Sequence, residues 1–254
     1  MRPAVSYLIC CCERTGSTLL GDALLSTGVA GRPHGYFSRV ALHNPRVRRI
    51  LRQMNEDDDS YLGTVIAAAT TPNGVFGAKV HWEQFMTLVA KAERLVRAQS
   101  GEVPASVPEI LSPTLPSLRY IWLTRRNEVA RAISHYRAKK TDRWHVDSRW
   151  LTDEADGAGE PGFDFDQIDA FVRAARGDEL RWSQFFREHD IAPLELIYED
   201  LVRDLEGAVR RILELVGSPA EEFRLPPPTL RKLADARSQE WEARYRQICA
   251  EAGG

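Results

Sequence analysis

The chain has 254 residues, 43% of them hydrophobic and 28% charged, which is enough to bury one full core. Its 34 basic and 36 acidic residues leave a net charge of −2, a balance that argues against a general nucleic-acid binder. No run approaches the ~20 apolar residues of a membrane span. The short apolar stretch Val5–Cys12 runs straight into Glu13-Arg14 with no small-residue cleavage site, so the reading is a soluble, cytoplasmic protein.

In chain order, Tyr7–Cys11 reads as a buried strand and Ser17–Thr27 as a helix with Leu19, Leu20, Ala23 and Leu24 on one face. The turn signal Pro72-Asn73-Gly74 introduces a second strand, Val75–Val80, and an amphipathic helix follows over Trp82–Ala98. Ser100–Ser117 holds four prolines and reads as a loop. Leu118–Thr124 is a third strand and Asn127–Lys139 a helix. The acidic, Gly-rich stretch Asp153–Phe163 reads as an exposed loop. Phe165–His189 reads as a long helix, Leu194–Tyr198 as a fourth strand, Leu201–Val216 as a helix closed by Gly217, and Thr229–Glu251 as a last helix. This alternation predicts an α/β fold, a central parallel sheet flanked by helices, in one domain over 1–254. Insertions at about 34–70, 100–117 and 140–163 are the natural places for a substrate lid.

The basic side is lopsided, with 29 Arg against 5 Lys. Codon bias accounts for most of that excess. Arg is also the better planar, bidentate binder of phosphate-like oxyanions, so the positions of a few arginines matter. The segment Cys12-Glu13-Arg14-Thr15-Gly16-Ser17-Thr18-Leu19 joins the first strand to the first helix. That junction gathers free backbone N–H groups and the positive end of a helix dipole. Gly16 permits close approach of an anion, Thr15, Ser17 and Thr18 add hydroxyls, and Arg14 adds charge. No Lys follows Gly16, so the Walker A pattern does not fit. The loop alone would also fit a Ser/Thr-capped helix without a ligand.

The third strand ends in Arg125-Arg126-Asn127 and leads into a helix carrying Ser134. The C-terminal end of a strand in an α/β sheet is where ligands bind, and two cations with a hydroxyl suit a second phosphate. Cys10, Cys11 and Cys12 cannot pair locally, no C-x-x-C spacing exists, and they read as small buried strand residues; neither a disulfide framework nor a metal site is expected. Trp144, Trp150 and Tyr36 are candidates to stack on a sugar or another ring, while Trp182 reads as core. Arg46, Arg48, Arg49 and Arg52 form a basic patch that either is a solvated helix face or attracts an anionic acceptor.

Together these residues resemble the PAPS-dependent sulfotransferases. Arg14-Thr15-Gly16-Ser17-Thr18-Leu19 is similar to their 5′-phosphosulfate loop, and Arg125 or Arg126 with Ser134 to their 3′-phosphate site. Tyr198-Glu199-Asp200-Leu201 matches a sequence common in that superfamily after the fourth strand. The closer resemblance is to the bacterial Stf0 family, over most of the chain. It is carried by Tyr7–Leu20, by Thr27-Gly28-Val29-Ala30-Gly31, by Thr71–Val75 with Gly77, Lys79, Trp82 and Gln84, and by Arg237, Ser238, Trp241, Arg244 and Tyr245. The resemblance implies the sulfotransferase fold, a P-loop-like sheet, with PAPS as sulfuryl donor, no metal, and an in-line transfer to a hydroxyl of a carbohydrate, glycolipid or other small metabolite. It also implies Arg237 and Ser238 as donor contacts and a homodimer.

The family's known trehalose enzyme carries a Glu, its general base, in a Pro-x-Glu-aromatic-Phe stretch, where this chain has Pro33-His34-Gly35-Tyr36-Phe37. Gly35 stands at the Glu position. His81, in Lys79-Val80-His81, is the first substitute: the segment resembles the Lys-x-His of eukaryotic cytosolic sulfotransferases, where Lys assists the moving sulfuryl group and His is the base. His34 is the second candidate and Glu13 the third. Two other functions compete with sulfuryl transfer: an ATP-dependent P-loop-like kinase, and a non-catalytic homologue that binds the nucleotide only.

Overall fold

A computed structural model describes residues 2–38, 47, 60–142, 144, 161–219, 223, 225 and 236–252. Four strands, β1 (Val5–Cys11), β2 (Val75–Val80), β3 (Leu118–Thr124) and β4 (Leu194–Ile197), form one parallel sheet in the order β2-β1-β3-β4. Ile9 is in register with Lys79 on one side and with Ile121 on the other, and Leu123 with Leu196. The chain leaves β1 toward β2, then crosses back to place β3 on the opposite side. Such a reversal opens a crevice at the C-terminal ends of the strands.

Period-two alternation in β1 feeds both faces of the sheet, as a central parallel strand requires. Tyr7, Ile9 and Cys11 pack with Leu20 and Leu24 of α1 (Ser17–Ser26) and with Val209, Ile212 and Leu213 of α8 (Leu205–Leu215). Leu8 and Cys10 pack on the other face with Phe85 and Leu88 of α3 (Trp82–Ser100) and with Trp182, Phe185 and Phe186 of α6 (Phe165–Glu188). Trp182 is a fully buried core residue, and Cys10, Cys11 and Cys12 are buried too, as the sequence predicts. A third cluster joins Ile133 and Tyr136 of α5 (Glu128–Thr141) to Ile168 and Val172 of α6 and to Trp241 and Tyr245 of α9 (Ala236–Ala252).

The structure departs from the sequence reading in three places. Tyr61–Ala69 forms α2 inside the predicted 34–70 insertion; it has almost no polar face, so no amphipathic period marks it. Val107–Leu111 forms α4 inside the proline-rich stretch read as a loop. There Ser106 and Glu109 cap each other, and Pro108 sits in the first turn, where a missing N–H costs nothing. The helix predicted over Leu201–Val216 is two: α7 (Tyr198–Leu201) continues directly from β4, and Asp204 Oδ1 accepts the Gly207 N–H at 2.8 Å to start α8. The last helix begins at Ala236 among the described residues, and 226–235 lie outside them. The basic patch at Arg46, Arg48, Arg49 and Arg52, Trp150, and most of the 140–163 insertion also lie outside the described residues. No described helix is long and apolar enough to cross a membrane.

Candidate active site

The loop from Cys12 to Gly16 lies at the C-terminal end of β1, at the mouth of the crevice. Two residues turn it sharply: Arg14 and Gly16 both adopt left-handed backbone, with φ of 64° and 84°. Gly16 precedes α1, and a Cβ there would stand 2.6 Å from Cδ2 of Tyr198. Glycine is therefore required twice, for its φ and for this close approach. The Thr15 hydroxyl donates to the Cys12 carbonyl at 2.9 Å and braces the loop from within. Thr15 and Ser17 are buried, while Thr18 and Leu19 are half-buried on the first turn of α1. Gly16 has no side chain with which to cap α1, so among the described residues no side-chain cap hydrogen bond closes its first turn.

Arg14 reaches across to the helix after β3, donating from Nε to Ser134 Oγ at 2.9 Å and from its guanidinium to the Trp144 carbonyl. Arg125 turns toward the same loop: it donates to the Arg14 carbonyl at 3.0 Å and lies 4.5 Å from the Tyr198 ring centroid. Its Nε is buried and accepted by no described group within hydrogen-bond distance, with Glu199 Oε1 at 4.0 Å. Burial, and then their mutual repulsion, lower the Arg14 pKa; burial also lowers that of Arg125. Arg126 behaves differently. Its guanidinium forms a half-exposed fork with Asp200 at 3.1 and 2.5 Å, and its N–H donates to Glu199. The Glu199 carboxylate also accepts the Asn127 N–H at 3.2 Å and so closes the N-terminus of α5.

The end of β2 supplies the third wall. The Lys79 ammonium has no hydrogen bond or ion pair among the described residues, and burial lowers its pKa. A Cβ on Gly35 would stand 3.6 Å from Lys79 Cε and 3.9 Å from Gln84 Oε1, so Gly35 leaves open space beside both. His81 precedes α3 and points its Nδ1 at Glu13 Oε1, 3.1 Å away. Burial alone would lower the His81 pKa; the Cys11 sulfur and the Glu13 carboxylate outweigh it and raise it to about 10. The same contact works the other way on Glu13: burial favours its neutral form, but the hydrogen bond and charge of His81 lower its pKa to about 2. At neutral pH the two are an ion pair.

Most of the residues singled out in the sequence thus converge. Arg14, Ser134 and Arg125 are joined by hydrogen bonds, and Lys79 and His81 stand on the adjacent strand end. His34 lies along the free edge of β2: its backbone bridges Ala78, its carbonyl accepts the Lys79 N–H at 3.0 Å, and its buried ring stands edge-on to Tyr36. Ser238 accepts from Arg137 at 2.7 Å on the face where α9 meets α5, and Arg237 is exposed. The sequence reading gave no role to Tyr198, Glu199 or Gln84 and ranked Glu13 last. Only the sequence match at Tyr198–Leu201 pointed to the first two.

The Stf0 sulphotransferase family matches residues 6–248. Trehalose 2-sulfotransferase of Mycolicibacterium smegmatis is 29% identical over 95% of this chain and 94% of its own length. Trehalose 2-sulfotransferase of Mycobacterium tuberculosis is likewise 29% identical, over 94% of each. A crystal structure of a sulfotransferase from Alicyclobacillus acidocaldarius aligns with a TM-score of 0.48 and 14% identity, over 97% of this chain and 92% of that one. With a family match spanning nearly its whole length, laid over a loop, two strand ends and a parallel sheet in the expected order, this chain belongs to the Stf0 sulphotransferase family.

Proposed function

We propose that the protein transfers the sulfuryl group of PAPS to a hydroxyl of a carbohydrate, glycolipid or other small metabolite. The observation that carries this reading is the convergence of Arg14, Arg125 and Lys79 on one crevice at the strand ends. There the Lys79 ammonium and the buried Arg125 Nε each have hydrogen-bonding capacity that no described group takes up. That is the donor set a small polyanion needs.

PAPS supplies an activated sulfuryl group and departs as PAP. Arg14 and the N–H groups of the Thr15–Thr18 turn hold the 5′-phosphate end and stabilise the charge that builds on it. Arg125 with Ser134 takes the 3′-phosphate. Arg126, already paired with Asp200, serves the surface instead. Lys79 faces the moving sulfuryl group, and His81 accepts the proton of the acceptor hydroxyl. His34, whose ring stands edge-on to Tyr36, is the second candidate for that step. Arg237 is a candidate donor contact from α9, with Ser238 beside it held by Arg137. The names of the mycobacterial relatives support a sugar acceptor. Gly35, which leaves Lys79 Cε uncovered, supports an acceptor that enters closer to β2 than a bulkier residue at 35 would allow.

The test is incubation with PAPS and a panel of trehalose, other sugars, glycolipids and a small-metabolite extract, with products read by mass spectrometry. A new sulfate ester with stoichiometric PAP supports the reading. PAP bound without any product would instead support a nucleotide-binding homologue. Magnesium-dependent release of ADP from ATP would support a kinase.

A further inference from the structure

His81 Nδ1 faces two groups that make opposite demands on it. Glu13 Oε1, at 3.1 Å, is a carboxylate and can only accept, so it needs a proton on Nδ1. Gln84 Nε2, at 3.3 Å, is an amide donor and needs a lone pair there. The orientation of the Gln84 amide is not free. Its Oε1 accepts the His81 backbone N–H at 3.3 Å in the reciprocal cap that starts α3, which turns Nε2 toward the ring, and the other half of that cap brings the Gln84 backbone N–H to the His81 side chain as a second donor. One ring nitrogen therefore lies between an acceptor and a donor, and whichever prevails fixes the state of the opposite nitrogen.

We infer that Glu13 is the positioning residue of this site: it outcompetes Gln84 for Nδ1 and keeps the proton there, so that Nε2 is the nitrogen that gives up its proton when the ring is neutralised and then accepts that of the hydroxyl. The inference rests on the sulfuryl-transfer reading above. A charge-assisted bond to a carboxylate is roughly twice as strong as a neutral one, and the Glu13 contact is also the shorter. If Gln84 prevailed, the neutral ring would carry its proton on Nε2 and could not act as the base. In the transfer itself, the hydroxyl oxygen bonds to sulfur while the bond from sulfur to the 5′-phosphate oxygen breaks. The electron pair leaves with the phosphate, and the hydroxyl proton passes to Nε2. Glu13 then faces an imidazolium and stabilises it without taking the proton.

Other charged groups also act on this pair. Cys11 lies against His81 from β1, and Lys79 precedes it on β2. His135 of α5 and Asp178 of α6 act on both members of the pair through space, as does Arg14 on His135. Glu13 and Gln84 are the described groups with a contact to Nδ1 itself, and the Cys11 side chain also hydrogen-bonds the ring.

The test needs no acceptor. Protein labelled with ¹⁵N-histidine is titrated by NMR, with the His81 signals assigned by their loss in His81→Gln. In the wild type, both ring nitrogens should be protonated at neutral pH, and the ring should titrate well above the ordinary histidine range. In Glu13→Gln the ring should titrate clearly below the wild-type value, with Cys11 still acting on it, and once neutral it should carry its proton on Nε2. Glu13→Asp, which keeps the charge, should restore much of the upward displacement. Gln84→Met should leave the raised titration in place. An unchanged His81 titration in Glu13→Gln would overturn the inference, as would a neutral ring protonated on Nδ1 in that variant. A Gln84→Met variant whose titration drops to the ordinary range would also overturn it. Failure of the sulfotransfer reading shows separately, as absence of any sulfated product from wild-type protein whose His81 behaves as stated.

Discussion

Arg125 donates a hydrogen bond to the carbonyl oxygen of Arg14 at 3.0 Å, joining the end of β3 to the loop after β1. Two guanidinium groups that repel each other are thereby held on one side of the crevice, and burial adds to the cost of their charge. An anionic nucleotide relieves both costs. Arg14→Ala and Arg125→Ala should each weaken PAP binding by about 1.5–3 kcal/mol, roughly 10- to 150-fold in Kd. Isothermal titration calorimetry with PAP measures this, and unchanged affinity in either variant would remove that residue from the donor site. Arg126→Ala should bind PAP as the wild type does, because its guanidinium is already committed to Asp200.

The first loop depends on a contact with the α7 turn. Gly16→Ala places a Cβ 2.6 Å from Tyr198 Cδ2 at a backbone φ of 84°. The strain of a non-glycine residue in that region is on the order of 1 kcal/mol, and the ring must move as well. The variant should melt at a lower temperature and lose PAP affinity together. Loss of PAP affinity with an unchanged melting temperature would show that the clash is relieved locally at the expense of the anion cradle alone.

The Glu13–His81 pair predicts two pH dependences. Its folded His81 pKa of about 10 lies above the unfolded value of about 6.5. The stabilisation from this group is therefore complete below about pH 6.5 and is lost as pH rises through about 10. Thermal melts between those limits should show a falling melting temperature in the wild type and a flatter curve in His81→Gln. The transfer rate should move the opposite way and rise with pH, because Nε2 must shed its proton before it can accept another. With the acceptor found in the product screen, His81→Gln should lower kcat on the order of 10²-fold. A wild-type rate in that variant would remove His81 as the base.

Arg131 is almost fully buried on α5, at 1% exposure, and among the described residues it pairs with Glu179 on α6. Two of its nitrogens, Nε and Nη2, are buried without a hydrogen bond to any described group. Arg131→Ala removes the cation and leaves a cavity between α5 and α6, next to the buried Cys12. The cost should be about 3 kcal/mol, toward the low end for breaking a buried pair because Glu179 keeps some access to water. Urea denaturation followed by circular dichroism measures it.

All four strands were legible to within two residues, because each is a short apolar run closed by a turn or a charge. The α2 helix escaped because Tyr61–Ala69 has no polar face, and α4 because prolines concealed a Ser106–Glu109 cap. At the site, Arg14, Arg125, Lys79 and His81 stand at strand ends and could be picked out by position. What the sequence cannot rank is which of two adjacent arginines turns inward. The answer depends on Glu199 and Asp200, 73 and 74 residues away along the chain from Arg126. Glu13 was ranked low because a carboxylate beside a phosphosulfate loop reads as repulsive. Its pairing with His81 through space removes that objection.

The central claim is sulfuryl transfer from PAPS at the crevice of Arg14, Arg125, Lys79 and His81. Its most direct test is mass spectrometry of the products formed by wild-type and Arg14→Ala protein from PAPS and the sugar, glycolipid and metabolite panel. The account predicts a hydroxyl compound that gains one SO₃ as PAP accumulates in equal amount, and a strong loss of that product in the variant. A wild-type protein that binds PAP and sulfates nothing in the panel, or a variant as active as the wild type, would contradict it.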